Sequence, residues 1–191
     1  MMVDVLPFLI PSLFFIFVVE FVYKLSARGV PVGYLLTRGK EYIIIMKEGQ
    51  PNGQPNGYTY NGFFTKAIVL TGGIDPEILV HEEGHTMQPN PLYVSVLPFT
   101  PLIHYNIYVS VALMVITYKL LVYYYERRAD IYAYAKYGIK YKAEIRRPAS
   151  RWERLKEWAF DTHAPDWVRE REEYYQKNVW LLSLFWQDIT A

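Results

Sequence analysis

The residues His81-Glu82-Glu83-Gly84-His85 hold the clearest chemistry in this chain. On an α-helix, residues four apart share a face, so His81 and His85 can grip one metal ion. Glu82 sits one step round the same turn, close enough to reach a water bound to that metal. Zinc held by neutral imidazoles, with one position open to water, is a hydrolytic catalyst. The expectation is a zinc peptidase with one Zn2+ per chain and Glu82 as general base. The competing reading is two histidines spaced by accident. The flanks weigh against it: Asp75 suits an N-cap, Pro76 the first helical position and Glu77 the positive end of the dipole. Ile78, Leu79 and Val80 then supply an apolar face.

Such a site needs a third protein ligand, and Glu126 is the best candidate. Glu126 and Asp130 lie four apart, on one helical face. Ala129, Ala133 and Ala135 would let that helix approach the motif helix closely. Asp130 is expected to accept the spare N–H of a zinc-bound histidine and hold its ring in one tautomer. The alternative is a solvated acidic edge beside Arg127 and Arg128.

The run H-E-x-G-H followed by E-x-x-A-D resembles the membrane-associated gluzincin zinc metallopeptidases of the HtpX and CAAX-prenyl-protease family. Asn61-Gly62-Phe63-Phe64 and Ala67–Gly73 look like that family's strand before the zinc helix. Asp161-Thr162-His163-Ala164-Pro165 with Arg169 resembles its later S/T-H-P-P segment, with alanine at the first proline. The likeness covers roughly residues 58–90 and 120–172 and implies a short member of the family. It implies zinc ligation by His81, His85 and Glu126, catalysis by Glu82, and support of a ligating histidine by Asp130. It also implies that His163 or Arg169 stabilises the charged intermediate. The substrate would be an extended polypeptide added as a strand at a sheet edge formed by Gly62, Phe63, Phe64, Thr65 and Lys66.

Composition fits a small membrane enzyme. Of 191 residues, 20% are charged and 17% aromatic, and the net charge of +1 offers no argument for a nucleic-acid partner. The absence of cysteine excludes disulfides and thiolate metal sites, leaving histidine and carboxylate as ligands.

Val5 to Tyr23 is apolar apart from Glu20 and is long enough to cross a hydrocarbon core of roughly 30 Å. Glu20, near its end, is expected to reach the interface. Asp4 and the lack of Lys or Arg before the segment are wrong for a cleaved signal. Lys24, Arg28, Arg38, Lys40 and Lys47 follow it, which places the C-terminal side in the cytoplasm. Residues 1–24 therefore read as a transmembrane anchor in the cell membrane, and 25–191 as a protease domain facing the cytoplasm. A second apolar stretch, Pro89–Tyr118, has no Lys, Arg, Asp or Glu. His85 and Glu126 must meet at one metal, so the chain between them crosses the bilayer an even number of times. Two full crossings need about 40 residues. The expectation is a helical hairpin over 89–125 that dips into the bilayer or spans it with short tilted helices, with His104 at its tip.

Tyr42–Lys47 and Phe64–Thr71 read as strands. The repeated Gln50-Pro51-Asn52-Gly53 and Gln54-Pro55-Asn56-Gly57 units read as a hairpin loop joining them, and as a candidate flap over the substrate groove. The helix through Glu126 should stop at Gly138. Residues 140–157 interleave Arg146, Arg147, Arg151 and Arg154 with Trp152, an interfacial composition that Trp158 extends. A further helix is expected over Pro165–Lys177, and Val179–Trp186 should pack on the core or the interface. The fold class expected is α+β and mainly helical: a gluzincin-type domain with a small sheet, an N-terminal transmembrane helix and a membrane-associated hairpin.

The function expected is zinc-dependent hydrolysis of peptide bonds in membrane or misfolded proteins. The alternatives are a processing peptidase for lipidated or signal-like peptides, and a non-catalytic zinc-binding scaffold. Retention of Glu82 argues against the scaffold, because a structural site closes its fourth position with a ligand.

Overall fold

Helix α1 spans Leu6–Ser26 and holds Pro11 in its apolar first half. Together with β1 (Val30–Thr37), β2 (Lys40–Lys47), β3 (Asn56–Asn61) and β4 (Lys66–Thr71) it opens a chain that is α+β and mainly helical. The structure, a computed structural model, describes residues 6–48, 55–140 and 150–191. Then come α2 (Pro76–Thr86), α3 (Pro91–Val96), a 3-10 stretch over Leu97–His104, and the long α4 (Ile107–Tyr137). The order closes with α5 (Arg151–Phe160), α6 (Asp166–Arg169), a 3-10 turn at Glu172–Tyr175 and α7 (Leu181–Thr190). Two of these helices, α1 and α4, are long and apolar enough to cross a membrane.

The chain divides into two compact units, Met1–Leu121 and Val122–Ala191. The division falls inside α4. Helix α1 belongs to the same unit as the sheet.

In the first unit the strands lie in the order β1-β2-β4-β3. β1 pairs antiparallel with β2, and β3 antiparallel with β4. β2 and β4 are parallel, with Ile43 opposite Ala67 and Met46 opposite Leu70. The expected direct hairpin between β2 and β4 is thus replaced by a mixed sheet. The chain inserts β3 before it returns as β4. Asn56 and Gly57 start that strand instead of making a turn. Pro51-Asn52-Gly53 and Gln54 lie outside the described residues. β1, which the sequence reading did not include, carries Pro31 and Gly33. Both sit where a bulge interrupts an edge strand, which is where a sheet tolerates them.

β4 is the central strand and is buried from Ala67 to Thr71. Tyr42, Ile68 and Leu70 form one face of the sheet and pack with Ile78 and Leu79 of α2. Ile45, Ala67 and Val69 form the other face, with Ala27 and Tyr60 against it. A strand buried on both faces reads as an unbroken apolar run, as Ala67–Leu70 does.

Between α2 and α4 the chain runs through α3 and the 3-10 stretch. The turn before α4 falls at Tyr105-Asn106, directly after His104. Small hydroxyl residues bind these apolar parts. The Ser110 hydroxyl donates to the Phe99 carbonyl at 2.7 Å, and Thr100 lies 2.9 Å from Ser12 of α1. Such side chains let apolar helices approach closely and hydrogen-bond where water is absent.

The second unit has its own core of Tyr123, Trp158, Ala164, Val168, Tyr174, Tyr175, Leu184 and Ile189. Asp188, fully buried, holds it together by accepting from the Trp158 and Trp167 indoles at 2.9 and 2.7 Å. α4 ends at Tyr137, and Gly138 follows at φ 69°. The single helix expected over Pro165–Lys177 is two short pieces, α6 and the 3-10 turn. Arg127 donates to the carbonyls of Tyr174, Gln176 and Val179. Residues 141–149, with Arg146 and Arg147, lie outside the described residues.

Candidate metal centre

Each unit holds part of the expected chemistry. In the first, α2 begins as its sequence requires. Asp75 caps it by accepting from the Glu77 N–H at 2.8 Å, and Pro76 takes the first helical position. One turn apart on this helix, His81 and His85 bring their Nε2 atoms to 3.1 Å. Two nitrogens bound to one tetrahedral zinc at about 2.0–2.1 Å would stand roughly 3.3 Å apart. The observed separation fits a shared ion.

The far ring nitrogen of His85 is also engaged: Nδ1 lies 3.0 Å from Gln88 Oε1. A carbonyl oxygen only accepts, so Nδ1 carries the hydrogen and Nε2 presents its lone pair. Gln88 is itself positioned from the sheet. Its backbone carbonyl accepts from the Asn61 amide, and Asn61 Oδ1 accepts from the Tyr42 hydroxyl at 2.9 Å. The same hydroxyl lies 3.3 Å from the Thr86 carbonyl, and the Arg38 guanidinium reaches that of Met87. Burial raises the Tyr42 pKa, which keeps that proton in place. The β1–β2 turn and strands β2 and β3 thus satisfy the open carbonyls at the end of α2 and fix the turn on which His85 stands.

Glu82 is 6% exposed, between α2 and β3. The Thr59 hydroxyl lies 2.8 Å from Glu82 Oε2 and 2.9 Å from the Glu82 backbone carbonyl. The strand comes this close because residue 57 is glycine. A Cβ there would stand 2.7 Å from both Glu82 Cγ and Ile78 Cγ2.

Gly62, Phe63, Phe64 and Thr65, expected as an edge strand, form the connection between β3 and β4. The Gly62 N–H donates to the Thr65 carbonyl at 2.9 Å. Lys66 opens β4, which is paired on both sides. The sheet edge beside Glu82 is β3. The extra strand pairing moves the edge outward from the segment that the apolar pattern marked.

In the second unit, Glu126 and His163 meet, with Oε2 and Nε2 2.8 Å apart. Burial pushes the His163 pKa down. Hydrogen bonds to Asp161 and Glu126, with the Glu126 charge, outweigh that and raise it to about 9. Asp161 in turn is lowered to about 2, chiefly by its bond to His163. It also accepts the Thr162 and His163 N–H groups at 2.6 and 3.2 Å.

One turn along α4, Asp130 and Arg169 are joined. Arg169 Nε reaches Asp130 Oδ2 at 3.0 Å and Nη2 reaches Oδ1 at 2.9 Å. The Tyr174 hydroxyl donates to the same Oδ2 at 2.9 Å. Burial first, and the Asp130 charge next, raise the Tyr174 pKa well above its usual value. Asp130 was expected to serve a ligating histidine and Arg169 a charged intermediate. The two are paired with each other, both only 5% exposed, as a buried charge requires a partner.

Sequence reasoning missed Thr59 and Gln88. Gln88 had a legible signal, since it stands three residues after His85. Thr59 had only the alternation Tyr58-Thr59-Tyr60, just after the segment read as a hairpin loop. Compared with known proteins, the chain matches no family model, no curated protein and no solved structure.

Proposed function

We propose that this chain is a membrane-anchored, zinc-dependent endopeptidase. The observation that carries the reading is the His81–His85 pair, 3.1 Å apart at Nε2, on the helix that also buries Glu82. His81, His85 and Glu126 would hold the ion. A zinc ion so held lowers the pKa of a bound water and polarises the carbonyl to be cleaved. Glu82 accepts the proton of the attacking water and returns it to the leaving amine. Thr59 orients the Glu82 carboxylate, Gln88 orients His85, and His163 orients Glu126. An extended polypeptide adds alongside β3, whose backbone presents the scissile bond in a fixed frame beside Glu82.

The apolar helices α1 and α4 support attachment to a bilayer, and the basic residues after α1 support a cytoplasmic protease domain. The reading is tested on the purified chain with a casein-like substrate. The expected result is stoichiometric zinc, hydrolysis abolished by a chelator, and a Glu82→Gln variant that keeps its zinc but loses activity by about 10²–10⁴-fold. Hydrolysis by Glu82→Gln at the parent rate removes Glu82 as the base. A chain that takes up no zinc removes the metal.

A further inference from the structure

Glu20 is the one charged residue in the apolar run of α1, and it is 8% exposed. Its carboxylate takes the N–H groups of Phe63 and Thr65, the latter at 3.0 Å, and the Tyr93 hydroxyl at 2.6 Å. Gly62 is glycine because Glu20 fills its side: a Cβ there would stand 2.3 Å from Oε1. Helix α1 therefore grips the β3–β4 connection through its backbone. The tip beyond that grip is apolar. Phe64 is 86% exposed, and Phe63 is 58% exposed with its other face stacked on Tyr93 at 4.7 Å.

From these contacts we infer that the Gly62–Thr65 tip is a second membrane contact, inserting Phe63 and Phe64 into the lipid at the cytoplasmic boundary of the bilayer. The inference rests on α1 spanning that bilayer. With Lys24 among the headgroups, Glu20 lies about 6 Å further in at 1.5 Å per residue, the edge of the hydrocarbon. Irregular backbone at that depth requires protein partners for its polar groups, and a carboxylate there requires donors. Glu20 and the turn supply each other. The Lys66 ammonium covers the Gly62 carbonyl and reaches Asn61 Oδ1 at 3.0 Å. Lipid is the occupant that continues the apolar surface of α1, exposed at Phe17 and Phe21.

A consequence follows for the proposed substrate. Thr59, bonded to Glu82, precedes Phe63 by four residues, about 13 Å of extended chain. The proposed base then works within that distance of the lipid, which favours polypeptide segments just emerging from the bilayer.

The native chain has no cysteine, so one introduced thiol reports one position. The full chain is reconstituted in phosphatidylcholine vesicles containing brominated lipid, with a fluorophore on Phe64→Cys, Phe17→Cys or Ile74→Cys. Ile74 is exposed beyond the opposite end of β4. Loss of fluorescence at Phe64 and Phe17 but not at Ile74 is the expected result. Quenching at Phe17 alone, or crosslinking of the Phe64→Cys chain to a second copy without quenching, overturns the inference and leaves the spanning helix standing. No quenching at Phe17 overturns the spanning reading and the inference with it. Adding Glu20→Ala should abolish quenching at Phe64 and keep it at Phe17; persistence at Phe64 removes Glu20 as the pin.

Discussion

Two buried acids, one in each unit, are held in opposite ways. In the first, Glu82 receives one neutral hydroxyl, from Thr59, and His85 leans on one neutral amide, from Gln88. In the second, Asp130 receives both arms of the Arg169 guanidinium and a phenol. A forked bond between two charges fixes geometry more firmly than a single bond from a neutral hydroxyl. A carboxylate so locked is a structural brace. One steadied by a single hydroxyl keeps its orientation and still has capacity to take a proton. On the proposed reading the chemistry belongs with the lightly held acid, Glu82, while the Asp130–Arg169 pair braces the C-terminal unit.

Arg169→Ala is the strongest way to break this contrast. It leaves the Asp130 charge buried beside Tyr174, and should lower the unfolding free energy by about 3–5 kcal/mol in a urea titration in detergent. A variant as stable as the parent but slower on substrate would instead give Arg169 to the reaction. Gln88→Ala comes next. Loss of a bond that orients a histidine ligand should weaken zinc binding by about 10–100-fold, read by competition with a chromogenic chelator. Gln88→Glu, which keeps the acceptor, should restore most of that affinity; equal loss in both variants would make Gln88 a packing residue. Thr59→Val is the smallest effect. It removes one hydroxyl hydrogen bond to the Glu82 carboxylate worth about 1.5 kcal/mol, so kcat should fall by roughly ten-fold with zinc content unchanged. An unchanged kcat would mean that Glu82 is held by helix packing alone.

The motif helix was legible because its signals are local. The Asp75 cap, the prolyl first turn and the four-residue spacing of the histidines all act within eleven residues. The stop of α4 before Gly138 and the apolar character of α1 were legible for the same reason. The sheet was harder to read. Its two outer strands carry Pro31, Gly33, Asn56 and Gly57, residues that punctuate most chains and are accommodated here by a bulge and by close packing on Glu82. The partners of Asp130 and Glu20 carried no local mark. Arg169 lies 39 residues from Asp130, and Phe63 lies 43 from Glu20.

Taken alone, the order of residues determined which helix bears the imidazoles, which stretches are apolar enough for lipid, and which side-chain types are available as ligands. Those properties depend on neighbours within a turn or two, where spacing and capping act directly. Tertiary structure alone decided the parallel pairing of β2 with β4, the position of β3 as the edge beside Glu82, and the choice of partner for every buried charge. Each depends on groups distant in sequence, and burial makes their pairing obligatory without specifying in advance which partner the fold will supply.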